Sequence, residues 1–366
     1  MGEEFTQAVL HFFNTGRLLK EINHTALTLV PKIPNPSSFS DFRPIVCCNL
    51  LYKCISGIMA ARLKNILPSL IDEAQSTFIP GRLMSCNIFI AQEVLRNYHR
   101  LDTRSRCATK VDLHKAFDTV KWSFLLELME NLGFPSTFIG WVRTCISSPK
   151  YSININGELV GFFGASRGLR QGDPLSPYLF TIIMDALSML IRQNIEKNRL
   201  AGTHFDYHWR CQKTKLTHLC FADDLLLFCG GSLTSVKILH NALQEFYSLS
   251  GLHPNNGKSN VFIAGRNQAY MEAVRDLFQF QVGELPVRYL GVPLLSTKLT
   301  ISNCKPLVDC ITSRISNWTV HFLSFAGRLQ LIKSVLCSIH SFWNGLFILP
   351  KAVLRRIEQI LRKALN

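Results

Sequence analysis

Residues Cys220 to Phe228 read CFADDLLLF, two adjacent aspartates inside an otherwise wholly apolar run. A run of that composition asks to be buried, so the one place where it carries charge is the place where it must turn. Aspartate is a good turn residue, and the segment reads as a β-hairpin with arms LCFA and LLLFC and with Asp223 and Asp224 at the tip. Two meanings of that tip are open. The carboxylates are either solvated turn residues, or they face a site where a divalent cation makes two like charges tolerable.

A second acidic feature bears on the choice. ATKVDL reads as a buried strand that delivers Asp112 at its end, so this carboxylate emerges at the rim of a sheet without crossing the core. If the hairpin lies beside that strand, three carboxylates converge and repel unless cations neutralise them. Hard oxygen ligands of this kind suit Mg²⁺, and a pair of such ions stabilises the attacking and leaving oxygens of phosphoryl transfer. Lys plus Arg number 40 against 25 Asp plus Glu, a formal charge of +15 that favours a polyanionic partner, nucleic acid or an anionic membrane surface. The basic residues are scattered through amphipathic segments, which fits a folded basic surface better than a disordered arm. Together these features read as nucleotidyl transfer on nucleic acid.

The loop GLRQGDP supplies two glycines that let backbone approach a ligand closely, with Gln171 between them as both donor and acceptor. An ordinary helix-initiating loop is the competing reading. The 12 cysteines form no CxxC pair, and the N-terminus MGEEFTQAVL is acidic and lacks the apolar core of a signal peptide, so buried reduced thiols in an intracellular protein are expected. His204, His208, Cys211, His218 and Cys220 cluster in sequence but match no common zinc spacing. MGEEFT formally fits an N-myristoylation pattern, a short match that chance supplies easily. No apolar run reaches the 18 or so residues of a membrane span.

Elsewhere the patterns predict an amphipathic helix and then a strand within residues 1–30, and a strand or turn at Phe42 to Val46. A long helix with Leu51, Ile55, Ile58, Met59 and Leu63 on one face follows, ending near Pro68. Helices are expected over about 86–99 and 122–131, the latter closed by Gly133. Asn156-Gly157 between alternating arms predicts a hairpin, and Ser176 with Pro177 behind it reads as the cap of a buried helix. Beyond it come a helix over 235–249, a strand SNVFIA, and helices at about 305–318, 327–342 and 352–364, the last rich in arginine. Strands that do not strictly alternate with helices indicate an α+β fold.

In this order, VDLHKAFD, GLRQGDPLSP, FADD, GLHPNNGKS and RYLGVPL resemble the successive palm motifs of a reverse transcriptase, and DFRPIVCCNLLYKCIS with QSTFIPGRL resembles its fingers motifs. NINGELVGFF and FAGRLQLIKSVL are similar to the variants found in non-LTR (LINE-type) retrotransposons of plants. The resemblance covers nearly the whole chain, and seven short motifs in fixed order carry it where any one would be weak.

The resemblance implies a right-hand polymerase fold, with fingers over 1–100, a ferredoxin-like palm over 101–295 holding inserted finger elements, and a partial helical thumb over 296–366. It implies RNA-directed DNA polymerase activity with two Mg²⁺ ions, Mn²⁺ being a possible substitute, on Asp112 and Asp223 and with Asp224 assisting. Phe117 matches the steric gate that crowds the 2′ position of the incoming sugar, and Gln171 and Gly172 match the loop packed against nucleotide and template. Arg43 matches the arginine that contacts the triphosphate, and Lys258 the lysine that protonates the leaving pyrophosphate. Taken singly, Phe117 reads as core, Arg43 as a surface arginine and Lys258 as a turn lysine. Pro254 and Gly257 depart from the family pattern around Lys258, where they weaken strand pairing.

The implied partners are an RNA template with a DNA primer and dNTPs, without a membrane, in cytoplasm and nucleus. Family members carry an endonuclease domain before this region and often an RNase H domain or zinc knuckle after it. Neither is recognisable here, so a fragment of a longer polyprotein is expected. Two other readings stay open: a catalytically silent nucleic-acid-binding remnant, and an RNA-dependent RNA polymerase built on the same palm.

Overall fold

Two apolar strands that lack polar alternation must be covered on both faces, and that requirement organises the chain. The computed structural model describes residues 2–100, 105–265, 268–316 and 323–365. In chain order it runs α1 (Gly2–Thr15), β1 (His24–Pro31), β2 (Phe42–Cys48), α2 (Leu50–Leu70), α3 (Met84–Leu95), β3 (Arg106–Asp112), α4 (Ala116–Thr119), α5 (Trp122–Asn131) and α6 (Ser136–Ser147). Then follow β4 (Lys150–Ile155), β5 (Glu158–Gly164), α7 (Ser176–Leu200), β6 (His218–Phe221), β7 (Asp224–Gly230), α8 (Leu233–Ser250), β8 (Asn260–Ala264), α9 (Gln268–Phe278) and β9 (Gln281–Val282). The hairpin of β10 (Val287–Tyr289) and β11 (Val292–Leu294) leads to α10 (Lys305–Ser316), α11 (Phe325–Leu331), α12 (Cys337–Leu346) and α13 (Lys351–Leu365). The order is mixed α+β, as the sequence indicates.

The larger sheet has the strand order β6-β7-β3-β8-β9, antiparallel except for its last pair. Its residues divide by parity. Leu225, Leu227, Cys229, Cys107, Val111 and Val261 enter one core, shared with α2, α5, α7 and α8. Leu226, Phe228, Ala108, Phe262 and Ala264 enter a second, shared with α3, β10, β11 and the C-terminal helices. Burial on both faces explains why the arms of CFADDLLLF carry no polar alternation.

The smaller sheet has the order β2-β1-β4-β5. Its last two strands are the Asn156-Gly157 hairpin, with φ of 54° and 94° at the turn, the left-handed pair that a two-residue hairpin demands. A segment remote in sequence from β1 thus joins its sheet by a parallel pairing with β4.

Several boundaries shift. α2 continues through Pro68 to Leu70, because a proline in the last turn removes only one helical hydrogen bond. α7 begins at Ser176, with Leu175 at the cap position and no side-chain cap; Asp173 does the capping instead, accepting from Leu175 N at 3.1 Å. α3 ends at Leu95 rather than near His99. α6 and α9 were not anticipated. The predicted helix end at Trp318 lies outside the described residues. Among the described residues no helix is long and apolar enough to cross a membrane.

The loop before α7 is locked to the smaller sheet by one buried cation. The Arg170 guanidinium donates to Asn23 Oδ1 at 2.8 Å, Thr25 Oγ1 at 3.3 Å and the Cys145 carbonyl at 2.7 Å, and lies 3.8 Å from the centre of the Tyr52 ring. Tyr52 donates in turn to Asp173 Oδ2 at 2.7 Å. Burial works against the Arg170 charge, but Tyr52 and Asp173 outweigh it and hold its pKa raised. Four segments of chain meet at this cluster. Tyr52→Phe, which removes one hydroxyl and leaves Asp173 Oδ2 without that donor, should cost about 1–3 kcal/mol in denaturant unfolding; an unchanged midpoint would show that the cluster does not hold the loop.

Candidate functional site

β3 and β7 end together. In their antiparallel register Asp112 is the Cα partner of Asp224, and the hairpin turns through Ala222, at φ 54°, and Asp223. Directly opposed residues have Cα atoms about 4.5–5.5 Å apart, with side chains on the same face. The expectation that Asp223 lies opposite Asp112 therefore needs correcting in geometry: Asp224 is the register partner, and Asp223 occupies the exposed turn beside the pair. Asp223 still senses both. Burial of its inner side raises its carboxyl pKa, its own backbone N–H opposes the rise, and the charges on Asp224 and Asp112 push it further up.

Lys110, which the sequence reading passed over, answers part of this charge. It sits two residues before Asp112 and so on the same face, is only 9% exposed, and pairs with Asp224 at 3.3 Å. The period-2 rule applied to ATKVDL would have found it. Asp112 itself is held by its backbone: Asn255 N donates to its carbonyl at 2.7 Å, and its N–H donates to Ser259 Oγ at 3.1 Å. These partners flank Lys258, which is exposed in the same turn. Pro254 and Gly257 do not strand-pair like the family pattern; they shape a tight turn before β8, with Pro254 bridged to Leu113.

Residues of β2, β4 and the loop before α7 line a cleft of about 190 Å³ that includes Pro44, Val46, Asp118, Tyr151 and Gln171. Gln171 donates to Asp118 at 3.4 Å, and burial raises the Asp118 carboxyl against the pull of Lys115 and Gln171. Gly172 has φ +102° and packs so closely on β2 that a Cβ would sit 3.3 Å from the Val46 carbonyl. Gly168 is tighter still, at φ +92° with a Cβ 2.8 Å from the Asp118 carbonyl, so both loop glycines are required by geometry. Phe117 is half-buried, its ring stacked on Phe180 of α7 at 4.7 Å, and its carbonyl accepts from Leu169 N at 2.6 Å. Arg43 is exposed on β2, on the face opposite to Pro44 and Val46; of the candidate residues, Gln171 is the one that lines the cleft among the described residues.

The donor set at the sheet end is oxygen-only and short of positive charge, which fits a hard divalent cation. Among the described residues no three His, Cys, Asp or Glu side chains already converge on one ion position. The same holds for the histidine and cysteine cluster, whose members are separated: His208 stacks on Tyr98, and His218 is hydrogen-bonded to Ser188 at 2.9 Å. Burial lowers both imidazoles to about 4, so they are neutral structural groups near pH 7.

Comparison with known proteins places this geometry. The family model for reverse transcriptase (RNA-dependent DNA polymerase) matches residues 32–294. The Transposon TX1 uncharacterized 149 kDa protein of Xenopus laevis is 25% identical over 355 residues, covering 95% of this chain and 26% of the relative. The Pol polyprotein of the type-2 retrotransposable element R2DM of Drosophila melanogaster is 27% identical over 357 residues, covering 95% and 32%. The chain thus spans about a third or less of the length of these curated relatives. A mitochondrial protein of Arabidopsis thaliana is 47% identical over 70 residues, 19% of this chain and 54% of its own. Among solved structures, telomerase from Candida Tropicalis aligns at a TM-score of 0.51 and 13% identity, over 93% of this chain and 56% of that one, a likeness that establishes the polymerase fold.

Removing the local cation tests the electrostatics. Lys110→Met should cost more than the ~1 kcal/mol of an exposed pair and less than the 3–5 kcal/mol of a buried one. A carboxyl whose folded pKa is raised weakens the fold once pH climbs above its unfolded pKa, so the deficit of Lys110→Met against the parent should shrink as pH falls from 7 towards 4 and Asp223 protonates. A deficit independent of pH would mean that Lys110 acts only through packing.

Proposed function

The chain belongs to the reverse transcriptase (RNA-dependent DNA polymerase) family, as the reverse transcriptase domain of a non-LTR retrotransposon, and from that premise we propose that it extends a DNA primer on an RNA template with dNTPs. The observation that carries the reading is the register pairing of Asp112 with Asp224 beside Asp223, within the stretch that matches the family. The primer 3′-hydroxyl attacks the α-phosphate of the dNTP and pyrophosphate leaves. Asp112 and Asp223, with Asp224 assisting, are the residues proposed to hold two Mg²⁺ ions, or Mn²⁺ in their place. Such ions, when bound, stabilise the attacking and leaving oxygens of the displacement.

The chain's own groups supply the rest. Asn255 and Ser259 fix the backbone from which the Asp112 carboxylate projects. Lys110 pairs with Asp224 at 3.3 Å and supplies positive charge beside the aspartates. Phe117, braced by Phe180, is a flat wall against a 2′-hydroxyl, which it would leave crowded and unsolvated. Gln171 and Gly172 present backbone and amide to the base pair being formed, and Lys258 protonates the leaving pyrophosphate; Arg43, the guanidinium suited to a triphosphate, stands exposed on the other face of β2 and would meet a triphosphate only on that side.

In this reading residues 1–100 are fingers, 101–295 palm with β4 and β5 as inserted finger elements, and 296–366 part of a thumb. The pairing of β1 with β4 supports that division. The motif variants, together with the 47% identity to the Arabidopsis protein, support a plant element. Endonuclease and RNase H domains of a longer protein would act beside it, in cytoplasm and nucleus.

An extension assay on poly(rA)/oligo(dT) with Mg²⁺ tests the proposal. Asp223→Asn should lower incorporation by about 100-fold or more; equal signal from parent and variant sinks the assignment, and salt-dependent RNA binding without synthesis by the parent identifies a silent remnant. Phe117→Ala should admit rNTPs at least about tenfold more readily relative to dNTPs, whereas unchanged sugar choice would remove Phe117 from the gate and favour an RNA-synthesising enzyme.

A further inference from the structure

β6 is only four residues long, stands at the edge of the larger sheet and leads directly into the turn that carries Asp223. On its inner side it pairs with β7, and its outer side would be a bare edge. A segment with no regular structure of its own closes that edge. Cys220 donates its N–H to the Ala74 carbonyl at 2.8 Å, and its own carbonyl accepts from Ser76 N at 3.1 Å, with Gln75 bridged in parallel to Cys220. The outer arm of the aspartate hairpin is therefore only as well fixed as residues 71–76.

One side chain spans those residues. The Arg82 guanidinium donates to the carbonyl of Ile71 at 2.8 Å and to the carbonyls of Asp72 and Gln75. Three carbonyls that turn towards one point need a planar fork of donors, the geometry of a guanidinium and not of an ammonium. Burial works against the Arg82 charge and lowers its pKa, opposed by Glu73 and Asp185. Other ties each hold one residue of the segment. Asp185 Oδ1 accepts from Asp72 N at 2.8 Å, Arg192 pairs with the Asp72 carboxylate, and Asn87 Oδ1 accepts from Ser76 Oγ at 2.6 Å. Arg82 lies within QSTFIPGRL, a stretch whose resemblance to a fingers motif assigns it no task.

We propose that Arg82 is a positioning residue for the aspartate site: by gathering the carbonyls of Ile71, Asp72 and Gln75 it keeps the 71–76 segment paired to Cys220, and so sets where Asp223 stands at the end of β6. It acts through backbone, not through contact with substrate. The catalytic consequence rests on the polymerase function proposed above, because a carboxylate displaced by a fraction of an ångström slows the reaction without loosening the substrate. The clamp itself rests on the hydrogen bonds alone.

Hydrogen exchange read by mass spectrometry tests the clamp, and primer extension tests its consequence, in the parent, Arg82→Ala and Arg82→Lys. The lysine variant keeps the charge and most of the aliphatic stem, so it guards against loss of the fold. In both variants the amides of Ser76 and Cys220 should exchange about tenfold faster or more, while the peptide over β3 keeps the parent's rate. kcat should fall about tenfold or more, with KM for dNTP within about twofold of the parent. Unchanged exchange at Ser76 and Cys220 overturns the clamp, and acceleration that spreads equally to β3 overturns it too, by making Arg82 a general support of the fold. Faster local exchange with the kcat of an active parent, or with a loss confined to KM, overturns the positioning role. Local acceleration in the variants of a parent that makes no DNA fails the polymerase reading and leaves the clamp standing.

Discussion

The pairing of β3 with β7 in a single register is the constraint on which the remaining structure depends. With Asp112 opposite Asp224, every second residue of both strands is committed to one core and the intervening ones to the other. A slip of one residue would turn Lys110, Asp112 and Asp224 towards the helical layer of α5, α7 and α8 and exchange the side chains that fill the two cores. Burial on both faces thus does for the carboxylates what no local turn preference could: it holds their positions along the sheet axis against their mutual repulsion. The same pairing places Lys110 diagonally across from Asp224, so the counter-charge is built into the strand that carries the problem.

A second layer of control acts from outside the sheet. The segment from Gly168 to Asp173 is pinned at one end by close approach to the Asp118 carbonyl and at the other by the Arg170, Tyr52 and Asp173 cluster. Between those anchors Gln171 and Gly172 have little freedom, and Gln171 lines the cleft. The buried guanidinium is expensive to desolvate and is retained with a full set of acceptors, an arrangement that favours a fixed loop over maximal stability. On the opposite flank, the 253–259 turn fixes Asp112 through backbone groups, so the site is braced from two unrelated segments of chain.

How much of this was legible beforehand varies by element. The hairpins around Asp223 and Asn156-Gly157 are local events, written in turn chemistry and apolar arms; the second stands where the sequence puts it, and the first turns one residue earlier, through Ala222 and Asp223, with Asp224 already in β7. α6 and α9 lie outside the motifs, and their stripes of Ile139, Val142 and Ile146 and of Tyr270, Val274 and Phe278 have the helical spacing that marks them in the sequence. Lys110 was within reach of the period-2 rule. Arg170 and Asp173 sit inside GLRQGDPLSP, but the acceptors of Arg170 on Asn23, Thr25 and Cys145 lie between 25 and 147 residues away, and no local pattern ties them together.

The sequence by itself determined the family, the α+β class, the order of the motifs and the residue types that can bind a hard cation, because each of these rests on short stretches whose chemistry is local. Tertiary structure alone decided which aspartate faces Asp112, that Arg43 lies on the far side of its strand, that the 150–164 hairpin completes the sheet of β1 and β2, and that Asn255 and Ser259 hold the Asp112 backbone. Those facts depend on strand register and on packing between segments far apart in the chain. Register is set only when both faces of the sheet find their cores, and no window of sequence contains both.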